Sequence, residues 1–320
     1  MTGTAPAPRT DGGAPGPDAP DLTGVAVVVV NYGSSDLLAE NIPRCGLAGS
    51  GARVVVVDNR TTEAERERLL ALGADQGWDV VPAATNLGFG GGMNVGVAHA
   101  RAAGADVVLL LNPDAWLPPA DLAALVDAAR AEPTTLLSPE IVRPDGTPWF
   151  RGAWIDVPRG RTRTGTPPTP PEHPWLVGAC LVLHTDLWER IGGFDERYFL
   201  YWEDVDVSWR VLAAGGALRV LGTATAVHSV GGTQRTEGKS PGYCYWNTRN
   251  RLLFAAQHLP RATVLRWALR TPFYAREVLL RGERTLDRRI VAPFWATARG
   301  SLAGLGLAVR ALVLGPVPRG

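Results

Sequence analysis

At 320 residues with 46% apolar content, the chain can bury one large core with an appendage, which excludes a disordered or fibrous protein. Its 32 basic and 31 acidic side chains leave a net charge of +1, so there is no global signature of nucleic-acid binding. Cys45, Cys180 and Cys244 are odd in number, widely spaced and without CxxC spacing, which argues against a disulfide framework or a zinc knuckle and fits a reducing cytoplasm.

Residues 1–22, rich in Ala, Pro, Gly and Asp and without an apolar run, read as a disordered leader rather than a signal peptide. Order begins at Val25, where VAVVVVNYG is the β-branched run of a strand buried on both faces. A helix is expected over 36–48, a second buried strand over Val54–Asn59, a helix over Glu63–Leu72 and a short strand over Trp78–Pro82. The glycine-rich Asn86–Gly96, whose backbone can approach a ligand closely, follows, then a helical stretch over Val95–Ala103. A third strong strand lies within Asp106–Trp116, with a helix over Asp121–Ala131. This alternation predicts an α/β fold with a mostly parallel, doubly wound sheet. Ligands in such sheets sit at the carboxyl ends of the strands, where Asn31, Asp58, Asn112 and Asp114 would line one crevice.

Residues 158–174, dominated by Pro, Thr and Arg, read as a flexible loop. A strand, a helix, a glycine turn and a helix starting near Glu203 come next, then a strand over Ala217–Leu221 and HSVGGT. These complete a catalytic domain spanning 23–235, followed by a helical, basic region over 236–320.

The chemistry concentrates in three places. Asp114, just past a buried strand in LLLNPDAW, can hold a hard cation on a diphosphate; its plain alternative is a turn or helix cap. In FLYWEDVDVSWR, Glu203, Asp204 and Asp206 crowd among aromatics that include Trp202. Helix starts attract carboxylates for dipole reasons, yet repulsion and burial among three would raise a pKa, as suits a general base. His228 alone would more often be structural, but beside Asp114 it completes a mixed carboxylate and imidazole site. Asp58 is either a turn residue or an acceptor for the N–H of a pyrimidine base. The glycine segment lacks G-x-G-x-x-G spacing, so it does not indicate a dinucleotide cofactor.

From Val25 to Thr233 these motifs, in this order, resemble family 2 of the GT-A glycosyltransferases, and especially the bacterial rhamnosyltransferase branch. The resemblance implies a GT-A (nucleotide-diphospho-sugar transferase) fold and a sugar-nucleotide pocket formed by Asn31, Asp58, Asn86, Gly88, Phe89, Gly92, Asn94, Asn112 and Trp202. It implies Mg²⁺ or Mn²⁺ on Asp114 and His228, with Asn112 replacing the first Asp of the usual D-x-D motif. Asp204, aided by Glu203, is the implied catalytic base for an inverting transfer. The implied donor is dTDP-rhamnose and the acceptor a saccharide or polyprenyl-diphosphate-linked saccharide used for cell-envelope polysaccharide. A soluble natural product as acceptor, UDP-galactofuranose as donor, or an inactive sugar-nucleotide binder are the alternatives. A glycoside hydrolase fits the buried parallel strands poorly.

From Tyr245 to Gly320 there are 13 arginines against Glu277, Glu283 and Asp287, so a basic tail follows an acidic body. Arginines among Leu, Trp and Phe at helical spacing suit the inner-leaflet headgroup layer and a peripheral place on the cytoplasmic face; a helical lid is the plainer reading. Arg299 and Arg310 interrupt the last apolar stretches, which argues against a transmembrane helix.

Overall fold

The computed structural model describes residues 20–165, 172–229, 240–281 and 291–319. Most of the expected leader, part of the expected loop at 158–174, the expected domain end near 235 with Gly231 and Gly232, and part of the basic tail lie outside the described residues.

The first half builds four parallel strands. β1 (Val25–Asn31), whose every residue is buried, precedes helix α1 (Ser35–Asn41) and β2 (Arg53–Asp58). Helix α2 (Glu63–Gln76), β3 (Asp79–Pro82), helix α3 (Gly88–Ala102) and β4 (Val107–Leu111) follow, giving the order β3-β2-β1-β4. The register pairs Asn31 with Asp58, so the polar ends of β1 and β2 stand side by side. The helix expected over 36–48 stops at Asn41 because Pro43 opens a separate 3₁₀ turn.

The glycine-rich segment is the first correction. It is already helix: α3 starts at Gly88, ahead of the helical stretch expected from Val95. A Cβ at Gly92 would come within 2.8 Å of Val30 Cγ2, and one at Gly96 within 2.4 Å of Val28 Cγ1. Glycines four apart share a helix face, so they let α3 lie on β1 at a separation no side chain permits. Tight packing outweighs the roughly 1 kcal/mol per residue by which glycine disfavours helix.

β5 (Ala115–Trp116), α4 (Pro119–Ala131), β6 (Thr135–Val142) and β7 (Pro148–Phe150) lead to a small separate sheet. That sheet comprises β8 (Ala153–Asp156), β9 (Arg161–Thr164) and β10 (Pro174–Trp175). The expected loop over 158–174 is thus corrected at Arg161–Thr164, where antiparallel pairing to β8 supplies the order that periodicity did not signal. β11 (Cys180–His184) runs antiparallel to both β4 and β6, so the main sheet is mixed in its second half. Helices α5 (Thr185–Ile191) and α6 (Glu203–Ala213) precede β12 (Ala217–His228), seven residues longer than expected and parallel to β6.

Helices α7 (Pro241–His258), α8 (Arg261–Leu269), α9 (Thr271–Leu280) and α10 (Val291–Leu314) close the chain. They share the catalytic core: Phe254 of α7 and Trp267 of α8 are fully buried against Trp202. α10 runs unbroken through Arg299 and Arg310 and lies on α7 through Gly300 and Gly304, where a Cβ would meet Tyr245, Thr248 and Leu252. By length and composition it is, among the described residues, the one helix long and apolar enough to cross a membrane.

Candidate active site

The strand ends divide into used and free side chains. Asn31 is spent on the fold: its Oδ1 accepts from the Ser34 backbone N–H at 2.9 Å, and its Nδ2 donates to Glu65 at 3.3 Å. Asp58, also buried, accepts from the guanidinium of Arg66, which in turn donates to the Ala83 carbonyl. Asn59, not singled out in the sequence, ties the start of α3: its Nδ2 donates to Asn86 at 3.0 Å and to the Gly88 carbonyl at 2.9 Å, while its Oδ1 accepts from Leu87 N–H. Asn86 and Gly88 therefore act first as a helix start. Asn112 differs, being half-buried at the end of β4 with its side chain in no hydrogen bond among the described residues.

Asp114 and His228 meet as expected. β12 pairs with β5 through His228 and Ala115, and His228 Nε2 stands 3.0 Å from Asp114 Oδ1, both side chains buried. Trp149 packs edge-on against the imidazole at 4.7 Å, and His228 Nδ1 is buried without a partner. The pair is in direct hydrogen-bond contact, and two donors at right angles on an ion with bonds of about 2.1 Å would also stand about 3.0 Å apart, so the spacing is compatible with a shared divalent cation. Carboxylate plus imidazole suits Mn²⁺ as well as Mg²⁺. No group of three or more His, Cys, Asp or Glu among the described residues could hold a metal alone. Such an ion would need oxygens from a ligand.

The acidic cluster resolves into three different environments. Asp206 is fully buried and neutralised, accepting from Arg210 Nε at 2.8 Å and lying 2.7 Å from His258 Nε2. Glu203 is 6% exposed, with Oε2 buried and unpartnered. Burial, then the neighbouring Asp204, pushes its carboxyl well above the usual range. Asp204 is half-buried, accepting the Gly178 N–H at 3.1 Å on Oδ2 and the Val205 N–H at 2.9 Å on Oδ1. Burial pushes it up to about 6 against the lowering effect of those two donors.

Gly178 is what joins the two halves. A Cβ there would touch both Asp204 Cβ and Phe89 Cε1, at 3.5 and 3.6 Å, and the next residue, Ala179, accepts the Asn112 N–H at 3.0 Å. Asn112, at the end of β4, and Asp204, at the start of α6, thus flank one two-residue segment, with Phe89 beside it.

The approach to α6 is strained. Phe199, Tyr201 and Trp202 have φ of 56°, 65° and 73°, a region bulky residues rarely enter. Asn250 of α7, fully buried, holds them: its Nδ2 donates to the carbonyls of Tyr198, Leu200 and Tyr201 at 2.6, 2.9 and 2.9 Å. Nothing in the sequence marks this asparagine, which sits amid a helical Arg and Leu pattern.

Three expected pocket residues are corrected. Trp202 points into the core, its ring 5.6 Å from Phe254 and 6.2 Å from Trp267, because the left-handed backbone turns it inward. Asn94 lies two residues from both Gly92 and Gly96, about 200° around the helix from the face that meets the sheet. Its amide instead clips the 194–196 turn, accepting from Phe194 N–H at 2.9 Å and donating to Glu196 at 3.1 Å. Gly92 faces β1, not a ligand. The GGFDERYF stretch is structural too: Asp195 accepts from Arg197 at 2.6 Å and Gln257 at 2.8 Å.

A profile described as Glycosyl transferase family 2 matches residues 26–192. An N-acetylglucosaminyl-diphospho-decaprenol L-rhamnosyltransferase of Mycobacterium tuberculosis is 28% identical over 236 residues, covering 63% of this chain and 75% of the relative. Rhamnosyltransferase WbbL of Escherichia coli is 23% identical over 225 residues, covering 64% and 83%. The mannosyltransferase PcManGT from Pyrobaculum calidifontis, solved with GDP-Man and Mn²⁺, superposes with a TM-score of 0.51 at 17% identity over 93% of this chain and 90% of that one. S. aureus TarS gives 0.50 at 15% identity over 90% and 83%. The last two likenesses concern the fold alone.

Proposed function

The chain belongs to glycosyl transferase family 2, and from that premise we propose that it transfers a sugar with inversion, using Asp204 as base and a divalent cation held by Asp114 and His228. The observation that carries this reading is the Gly178–Ala179 segment, which sets a carboxylate with a raised pKa beside the open strand end that bears Asn112 and precedes Asp114.

The chemistry follows from the groups. Asp204, deprotonated above about pH 6, takes the proton of an acceptor hydroxyl as its oxygen attacks the anomeric carbon. The bond to the nucleoside diphosphate breaks on the opposite face, so a single displacement inverts the configuration. The backbone N–H groups of Gly178 and Val205 fix both carboxylate oxygens of Asp204 and orient it toward the crevice. Burial, then the neighbouring Asp204, raises the Glu203 carboxyl well above the usual range, which disfavours a second charge next to the base. Asn112 offers the donor an amide with no hydrogen-bond partner among the described residues. A cation on Asp114 and His228 would supply Lewis-acid stabilisation of the departing diphosphate.

The rhamnosyltransferase relatives support rhamnose as the sugar moved, with dTDP-rhamnose as the proposed donor, and the mycobacterial one a polyprenyl-diphosphate-linked saccharide as acceptor. A lipid-linked acceptor agrees with the exposed Leu265, Leu269, Phe273, Phe294, Trp295, Leu302, Val309 and Val313 of α8–α10 among arginines, a surface suited to the cytoplasmic membrane face. Incubating the purified chain with dTDP-rhamnose, a polyprenyl-diphosphate N-acetylglucosamine and Mn²⁺ or Mg²⁺ tests the reading. A rhamnosylated lipid formed with metal and lost with EDTA is expected; transfer undiminished by EDTA would remove the cation.

A further inference from the structure

The β8–β9 hairpin and the C-terminal helices enclose a second cavity of about 180 Å³, lined by Arg159, Arg161, Arg270, Phe273, Tyr274 and Glu277. Sites that engulf a drug-sized ligand occupy roughly 300–1,000 Å³, so this volume suits a headgroup rather than a nucleotide sugar. An aromatic layer separates it from the crevice: Trp202 packs on Trp267, and Arg251 lies over the Trp267 and Tyr274 rings at 4.9 and 4.6 Å.

The cavity has more cations than its carboxylates can satisfy. Asp156 faces Arg159, Arg161 and Arg163 at 3.3, 3.7 and 4.0 Å, and Glu277 faces Arg161 and Arg281 at 3.4 and 3.0 Å. Arg270 forms no ion pair among the described residues. Behind Tyr274 and Gly160, Arg251 is fully buried, and among the described residues its partners are the carbonyls of Gly160 and Trp267 and the two ring faces. Burial lowers its pKa only to about 10, so it stays charged at neutral pH. Arg161 Nε and Arg251 Nη2 are both buried without a hydrogen-bond partner, the 3.7 Å from Arg161 Nε to Asp156 being too long for one. Unpaired buried guanidinium N–H groups are expensive, and that of Arg161, which lines the cavity, asks for an anion, while Arg251 adds positive charge from behind the wall. The rim is apolar: Leu269 is 70% exposed and Phe273 75%.

We propose that this cavity binds the phosphate-bearing headgroup of an anionic amphiphile, whose hydrocarbon lies over Leu269 and Phe273. Phosphate meets the guanidinium fork in good geometry, and the apolar rim distinguishes a lipid from a soluble ion. The proposal rests on the membrane reading above for the source of the ligand.

Sedimentation of the full chain with vesicles of phosphatidylcholine, with and without phosphatidylglycerol, tests it. Arg159→Gln with Arg270→Gln is compared with a control of equal charge loss, Arg299→Gln with Arg310→Gln, after melting temperatures confirm folding. Calorimetry with inorganic pyrophosphate is the soluble arm. Preference for the anionic vesicles, reduced about tenfold or more in the cavity variant and clearly less in the control, is the expected result. If no vesicle binds but pyrophosphate does, and the cavity variant loses it, the phosphate site stands with a soluble ligand while both the lipid source and the membrane reading fall. A cavity variant that binds both probes like wild type, or loses no more than the control, overturns the cavity proposal and leaves the membrane reading intact.

Discussion

Neighbouring carboxylates at the start of α6 have opposite fates because their surroundings differ within one helical turn. Asp206 has a cation on one oxygen and an imidazole on the other; Glu203 has a buried, unpaired oxygen; Asp204 has two backbone donors and an open side. The cluster was visible in the sequence, but the division of roles was not, since it depends on Arg210, His258 and Gly178 arriving from elsewhere in space. A carboxyl whose pKa is raised in the folded state binds its proton more tightly there than in the unfolded chain. Stability is then highest below the unfolded value near 4 and declines as pH rises toward about 6, while activity, which needs the ionised base, increases through that same window. The rising limb of kcat against pH should fall near 6. Glu203→Gln should raise the melting temperature at pH 7.5, because it removes a buried carboxyl that resists ionisation; a lower melting temperature would show that the carboxylate is satisfied after all. His228→Ala should weaken Mn²⁺ dependence of transfer by about 10–100-fold, seen as a shift in the metal concentration for half-maximal rate.

Element-scale packing explains why the glycine-rich segment misled. Its glycines suggested backbone open to a ligand, yet Gly92 and Gly96 on one face of α3 and Gly300 and Gly304 on α10 each allow two backbones to approach. Periodicity of small residues carries that information only when the opposing element is known. Gly96→Ala should destabilise by about 1–3 kcal/mol through overlap with Val28, whereas Gly306→Ala, in open space on α10, should stabilise by about 0.5–1 kcal/mol. Chemical denaturation of the two variants checks both signs. Asn250 on α7 illustrates a different blindness: its value lies in three carbonyls some 50 residues away along the chain. Asn250→Ala should leave those carbonyls unpaired and relax the 199–202 turn, lowering kcat by about tenfold or more with a smaller change in KM. Equal kinetics in a stably folded variant would reduce Asn250 to a packing residue.

At the scale of the whole molecule, the apolar runs of β1, β2 and β4 with their polar ends made the parallel half of the sheet and the crevice legible, and Asp114 with His228 met as expected. The strand β11 was expected but its antiparallel direction was not legible, nor was the three-stranded sheet, because pairing partners set both rather than the local pattern. Nor was the union of tail and catalytic core. With Trp267 and Phe254 fully buried against Trp202, cutting the chain near Pro260 would open the core, so the tail must be probed by surface changes instead. Replacing Leu302, Val309 and Val313 with Ser should leave folding intact and weaken binding to lipid vesicles; unchanged binding would assign the exposed face of α10 another role. The central claim is that Asp204 removes the acceptor proton in a crevice assembled by β4, β11 and α6. Its most direct test is the initial rate of sugar transfer from nucleotide donor to acceptor by wild type and by Asp204→Asn of equal or greater thermal stability. A kcat lowered on the order of 10² to 10⁴-fold with KM changed only a few-fold is predicted; turnover at the wild-type rate would contradict the account.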